Sequence, residues 1–125
     1  MNALHARIQL NYADSKEAIE DVVRGLIDES QREYIVDRRS ERRHSLAVRL
    51  GVTPIENGKL ATEFAAVTHD ISTRGISFLH DSLVECKHLL LRFPDYNRQA
   101  LVVEVLRQTE IGPFKMVAGR FSTRV

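Results

Sequence analysis

Ser45-Leu46-Ala47-Val48-Arg49-Leu50-Gly51-Val52 decides the fold. Leu46, Val48, Leu50 and Val52 alternate with Ser45, Ala47, Arg49 and Gly51, the period of a half-buried strand. Pro54 and Glu56-Asn57-Gly58 supply a turn, and Asn-Gly is a strong hairpin dipeptide because both residues accept positive φ. Moving outward, a second strand is predicted over 60–71. A third covers 75–80, with Ile76 and Phe78 on one face, and a fourth covers 87–93, with Leu89, Leu91 and Phe93 alternating. Pro94-Asp95-Tyr96-Asn97 is turn chemistry. Strands over 100–107 and 114–121, joined around Ile111-Gly112-Pro113, complete six. Six short strands with tight turns, and no helix after residue 36, predict an antiparallel barrel or sandwich. A barrel also removes exposed strand edges.

Upstream the rhythm is helical. Residues 14–34 read as one amphipathic helix, with Asp14 as N-cap and Glu17 completing a capping box. Ile19, Val22, Val23, Leu26 and Ile27 form its apolar stripe, continued by Ser30 and Tyr34. Glu20, Arg24, Asp28 and Arg32 alternate in sign on the solvent face. Gly25 is a weak point, costing about 1 kcal/mol against alanine. The stripe must be covered by the following domain, a second copy (a homodimer through 14–34) or another protein. The expected division is a helical extension over 1–37 and a barrel domain over 38–125.

The chain has 125 residues, 43% hydrophobic and 28% charged, one domain's worth of ordinary globular composition. Its single cysteine, Cys86, excludes an internal disulfide framework. No apolar run is long enough to span a bilayer, and residues 1–10 lack the core of a signal peptide. The expectation is a cytoplasmic protein without a membrane partner. The net charge of +1 hides an asymmetry. Residues 1–37 carry four basic and eight acidic side chains, and residues 38–125 carry fourteen and nine. The sign changes at Arg38-Arg39-Ser40-Glu41-Arg42-Arg43, which points to an anionic partner.

Nothing in the sequence supports catalysis. His69, Asp70 and Ser72 are the letters of a hydrolase triad, but strand alternation turns His69 away from the other two. Cys86 and His88 read as an inert thiol beside a histidine. The five histidines form no i, i+4 pair and no metal-ligand spacing, and there is no glycine-rich phosphate loop. No enzyme activity, metal or cofactor is expected.

Two signals remain. Arg38, Arg39, Arg42 and Arg43 offer rigid donor forks that match phosphate and stack on bases. Asp70-Ile71-Ser72-Thr73-Arg74-Gly75 places Asp70 and Ser72 on one face of a strand end, and Gly75 permits close approach. A carboxylate suits the donor edge of guanine. A solvated linker and a strand-end turn are the plain readings of each. A nonspecific RNA or DNA binder is a further alternative, although stacking aromatics are few and tryptophan is absent.

Together the motifs resemble a family. Arg39-Ser40-Glu41-Arg42-Arg43 is RxxxR, preceded by Arg38, and Asp70 to Gly75 is (D/N)xSxxG. In that order, separated by a strand-hairpin-strand, they are similar to the signature of the PilZ domain, a bacterial receptor for cyclic di-GMP. Gly119-Arg120-Phe121 resembles the end of that family's last strand. Arg38-xxx-Arg42 fits the first motif too; Arg39/Arg43 is preferred because Arg38 then supplies the preceding arginine. The resemblance covers 38–122 and implies a six-stranded antiparallel PilZ-type β-barrel, here with an N-terminal amphipathic helix. It implies ligand contacts by Arg38, Arg39, Arg42, Arg43, Asp70, Ser72, Arg74, Gly75 and Gly119. Gly75 would leave room for the ligand, and the arginine segment would be a flexible loop closing over it. An arginine before RxxxR implies a stacked cyclic di-GMP dimer. The ligand state would be relayed to an unidentified protein partner, with no DNA involved. The competing reading within the family is an interaction module that binds no nucleotide.

Overall fold

The computed structural model describes residues 11–30 and 43–125. A helix, α1 (Lys16–Ser30), precedes eight strands. They are β1 (His44–Ser45), β2 (Arg49–Glu56), β3 (Lys59–Leu60), β4 (Phe64–Ile71), β5 (Gly75–His80), β6 (His88–Arg92), β7 (Leu101–Ile111) and β8 (Phe114–Phe121). Neighbours run β4-β5-β8-β7-β6-β2, and β2 pairs back onto β4. Every pairing between these strands is antiparallel, so six strands close a barrel, with β1 and β3 as short additions.

The turns form where their residues demand. Asn57 and Gly58 both have positive φ, 53° and 74°, and link β2 to β3. Gly112 at φ 58° and Pro113 make the two-residue loop between Ile111 and Phe114. Pro54 lies inside β2 instead of ending it. Its backbone faces residues 61–63, where β2 has left β4 and not yet met β3, so the ladder loses little through its missing N–H. Its carbonyl still accepts from the Ala61 N–H at 2.9 Å.

Residues 45–52 enter the barrel with Leu46, Val48, Leu50 and Val52 all buried. Between β1 and β2 it is held by the buried Thr68 hydroxyl, which accepts from the Val48 N–H at 2.8 Å and donates to the Leu46 carbonyl. Opposite that interruption, β4 carries a bulge at His69. Pairing changes from Thr68–Phe78 to Asp70–Ser77 on one side, and from Arg49–Val67 to Ser45–Asp70 on the other.

Helix α1 starts one residue later than predicted. Ser15 is the cap, its Oγ accepting from the Ala18 N–H at 3.0 Å, which displaces Asp14 from that role. Residues 31–34, including Tyr34, lie outside the described residues. Of the coverings open for the apolar stripe, the structure has the barrel. Ile19, Val22, Val23, Leu26 and Ile27 join one hydrophobic cluster with Leu50, Ile71, Phe78, Leu91 and Leu101. The chain before the helix is fastened to the start of β7, where the Ala13 N–H donates to Ala100 O at 2.9 Å. Gln99 Nε2 donates to Tyr12 O at 3.0 Å. Gly25 has a packing reason: a Cβ there would come 2.3 Å from the Arg98 guanidinium carbon, and Arg98 crosses the helix to pair with Glu29 at 2.5 Å. Among the described residues, no helix is long and apolar enough to cross a membrane.

Candidate functional site

Helix α1 and the described candidates Arg43, Asp70, Ser72, Arg74, Gly75 and Gly119 share one end of the barrel, where β4 finishes, β5 starts and β8 finishes. Arg43 enters β1 and turns its guanidinium onto Asp70. Nε donates to Oδ1 at 3.0 Å and Nη2 donates to the same oxygen at 2.5 Å. Nη1 lies 3.5 Å from Ser72 Oγ. Ser77, directly opposite Asp70 on β5, donates its hydroxyl to Oδ1 at 2.7 Å. His69 Nδ1 stands 3.6 Å from Oδ2. Alternation predicted His69 facing away from Asp70. The bulge overturns that, because its extra residue resets the phase and turns both side chains outward.

Burial pushes the Asp70 carboxyl up, but the hydrogen bonds from Arg43 and Ser77, with the charges of Arg43 and His69, outweigh it. The net pKa lies below the ordinary aspartate value. The carboxylate is therefore ionised and already holds an arginine. Arg43 remains half exposed, at 49% of its side-chain surface, so an incoming anion can reach it.

Ser72 is buried, and its hydroxyl accepts from the Arg74 N–H at 3.1 Å while its own N–H donates to Gly75 O at 2.9 Å. It builds the β4–β5 turn and meets Arg43 at the edge of hydrogen-bond range. Gly75 has a packing reason of its own: a Cβ there would come 2.3 Å from the carbonyl oxygen of Gly119, so the missing side chain makes room for β8. Arg74 is exposed in the turn, and its carbonyl accepts from the Phe121 N–H. Arg38, Arg39 and Arg42 lie outside the described residues.

A groove of about 620 Å³ runs across β4, β5, β8 and β7, lined by Arg43, Asp70, Ser77, Arg107, Ala118 and Gly119, among others. The structure thus brings Arg43, Asp70 and Gly119 to one cavity, with Ser72 just behind. Sequence reading missed Ser77, Leu106 and Arg107. Ser77 had a signal: a turn over 72–75 sets Ile71 opposite Ile76, and hence Asp70 opposite Ser77. A larger cavity of about 920 Å³ over β2, β4 and β5 includes Phe64 stacked on His80 at 4.0 Å and contains none of the predicted residues. Cys86 donates its thiol to the His88 carbonyl at 3.4 Å, and burial pushes its pKa up.

Chemically, the site sets a half-exposed guanidinium, a donor to anions, beside the carboxylate it is paired with, an acceptor for N–H groups. No protein-family model matches the chain, and no curated protein matches it. Among solved structures, the chain is similar to the Bacillus subtilis inhibitor of motility (MotI/DgrA), at 18% identity and a TM-score of 0.48. The match covers 70% of this chain and 44% of that one, so it spans less than half of the neighbour's length.

Proposed function

We propose that this protein is a non-catalytic receptor for cyclic di-GMP. The observation that carries the reading is the Arg43–Asp70 pair at the mouth of the groove. It unites the last arginine of RxxxR with the first residue of DxSxxG, although 27 positions separate them. On this reading a ligand phosphate competes with Asp70 for Arg43, and the released carboxylate takes the N1–H and N2–H₂ edge of guanine. Arg38, Arg39 and Arg42 add donors to the same phosphates, and a stacked ligand pair supplies enough negative charge to answer them all. Ordering chain around a ligand costs about 1–2 kcal/mol per residue in backbone entropy. Charge-assisted hydrogen bonds of about 1.5–3 kcal/mol each must exceed that. A protein partner then reads the changed surface at the helix end of the barrel. The setting this implies is a bacterial cytoplasm.

Isothermal titration tests the reading. Cyclic di-GMP should bind, and Arg43→Ala or Asp70→Ala should each weaken it at least about tenfold, a change of about 1.4 kcal/mol. Asp70→Asn should also erode preference for cyclic di-GMP over cyclic di-AMP. Unchanged affinity in both alanine variants would remove the site. Absence of binding would favour a protein-interaction module. Indifference to the base, with steep salt dependence against single-stranded RNA, would favour a nonspecific nucleic-acid binder.

A further inference from the structure

The groove has a second wall. Strand β7 carries its own bulge: pairing with β8 changes from Val105–Gly119 to Arg107–Ala118, so Leu106 is the extra residue. Leu106 and Arg107 are both exposed, Leu106 at 58%, and both line the groove. This mirrors the opposite wall, where the bulge at His69 turns two consecutive side chains outward. The registers also place four groove residues in one row across the sheet: Asp70 opposite Ser77, Ser77 opposite Ala118, Ala118 opposite Arg107. At about 4.8 Å per strand, Arg107 stands about 14 Å from Asp70 along the curved sheet. The small Ala118 keeps the floor low between them.

The charges on the two walls differ in one respect. Arg43 is answered by Asp70, and nearby Arg120 is answered by Glu104 at 2.6 Å. Arg107 has no ion-pair partner among the described residues. Bulges beside binding sites re-aim side chains, and here one aims an unanswered guanidinium and an aliphatic group at a groove whose far side is a carboxylate.

We propose that Leu106 and Arg107 form a second ligand-binding wall. Leu106 covers a base face, and Arg107 donates to ligand acceptors, either a phosphate oxygen or the O6/N7 edge of guanine. This rests on the cyclic di-GMP reading and extends it to residues outside both motifs. Titration of cyclic di-GMP into wild type, Arg107→Gln and Leu106→Ser tests it, with thermal melts confirming that these exposed changes leave the fold intact. Arg107→Gln should lose about tenfold in affinity and Leu106→Ser about threefold. A 7-deazaguanine analogue separates the two acceptor sources. If Arg107 reads the base edge, the analogue binds wild type more weakly and Arg107→Gln no longer distinguishes it. If Arg107 holds phosphate, wild type binds both ligands alike and the variant weakens both. Wild-type binding with both variants unaffected would overturn the second wall and leave the receptor reading standing. Failure of wild type itself to bind would overturn both.

Discussion

Asp70 Oδ1 accepts from two nitrogens of Arg43 and from the Ser77 hydroxyl, while Oδ2 has His69 beside it. An acceptor this crowded is stabilised as the anion, and its pKa falls below the unfolded value in spite of burial. The folded state holds its proton less tightly than the unfolded chain, so the stabilisation is full above the unfolded pKa. It is lost as pH falls through the folded one. Glu63, Asp95 and Glu104 are lowered in the same direction, chiefly by hydrogen bonds from Arg92, Arg49 and Arg120. Urea unfolding should therefore show stability declining below about pH 4, where aspartate begins to protonate. Asp70→Asn should be less stable than wild type at neutral pH, and the gap should close on acidification. Parallel curves for the two proteins would mean that the Asp70 cluster contributes nothing to acid sensitivity.

Among the elements, what the sequence made legible was whatever a single residue type enforces locally. Asn57-Gly58 made a hairpin because both positions need positive φ, and β5 and β8 begin and end at the predicted residues because turns bound them. The β7–β8 ribbon runs on to Ile111, beyond the predicted end at 107, because its exposed half has no core-facing alternation to mark it. The bulges at His69 and Leu106 were illegible for a related reason: alternation has a fixed phase, and an inserted residue shows only once the partner strand is known. Half of the candidate site depends on those two shifts. Gly75 illustrates the reverse case, a motif glycine whose visible role is strand packing. Gly75→Ala drives a Cβ into the Gly119 carbonyl, and backbone cannot yield as a side-chain tip does. The variant should lose about 1–3 kcal/mol in urea unfolding, the usual cost of forcing extra volume into packed structure. A variant of wild-type stability would mean that the approach of Gly75 to the Gly119 carbonyl does not constrain the fold.

At the scale of the whole molecule, the near-neutral charge is an average over an acidic N-terminal part and a basic barrel, yet the described helix of the acidic part shares its core with the barrel. Val23 and Leu26 have no exposed surface, and they share a hydrophobic cluster with residues from β2, β4, β5, β6, β7 and β8. A helix of fifteen residues is marginal alone in water, so its order depends on that shared core. The barrel depends on it in return, because five helix side chains, Ile19, Val22, Val23, Leu26 and Ile27, belong to the same buried cluster as the barrel interior. The ion pair from Arg98 to Glu29 and the strand-like fastening at Ala13 and Ala100 tie the same two parts. Leu26→Ala should therefore lower the stability of helix and barrel together, by about 2–5 kcal/mol for a buried leucine truncated in a close-packed core. Far-ultraviolet circular dichroism and amide exchange in β7 would follow one urea transition, shifted to lower denaturant with an unchanged slope. If the helix were instead an appended arm, Leu26→Ala would melt it first and leave the exchange of Val102 and Val103 at wild-type rates. On the receptor reading proposed for the groove, the single transition is the outcome that would couple a ligand held by Arg43 and Asp70 to the helix, because helix and barrel then respond as one unit.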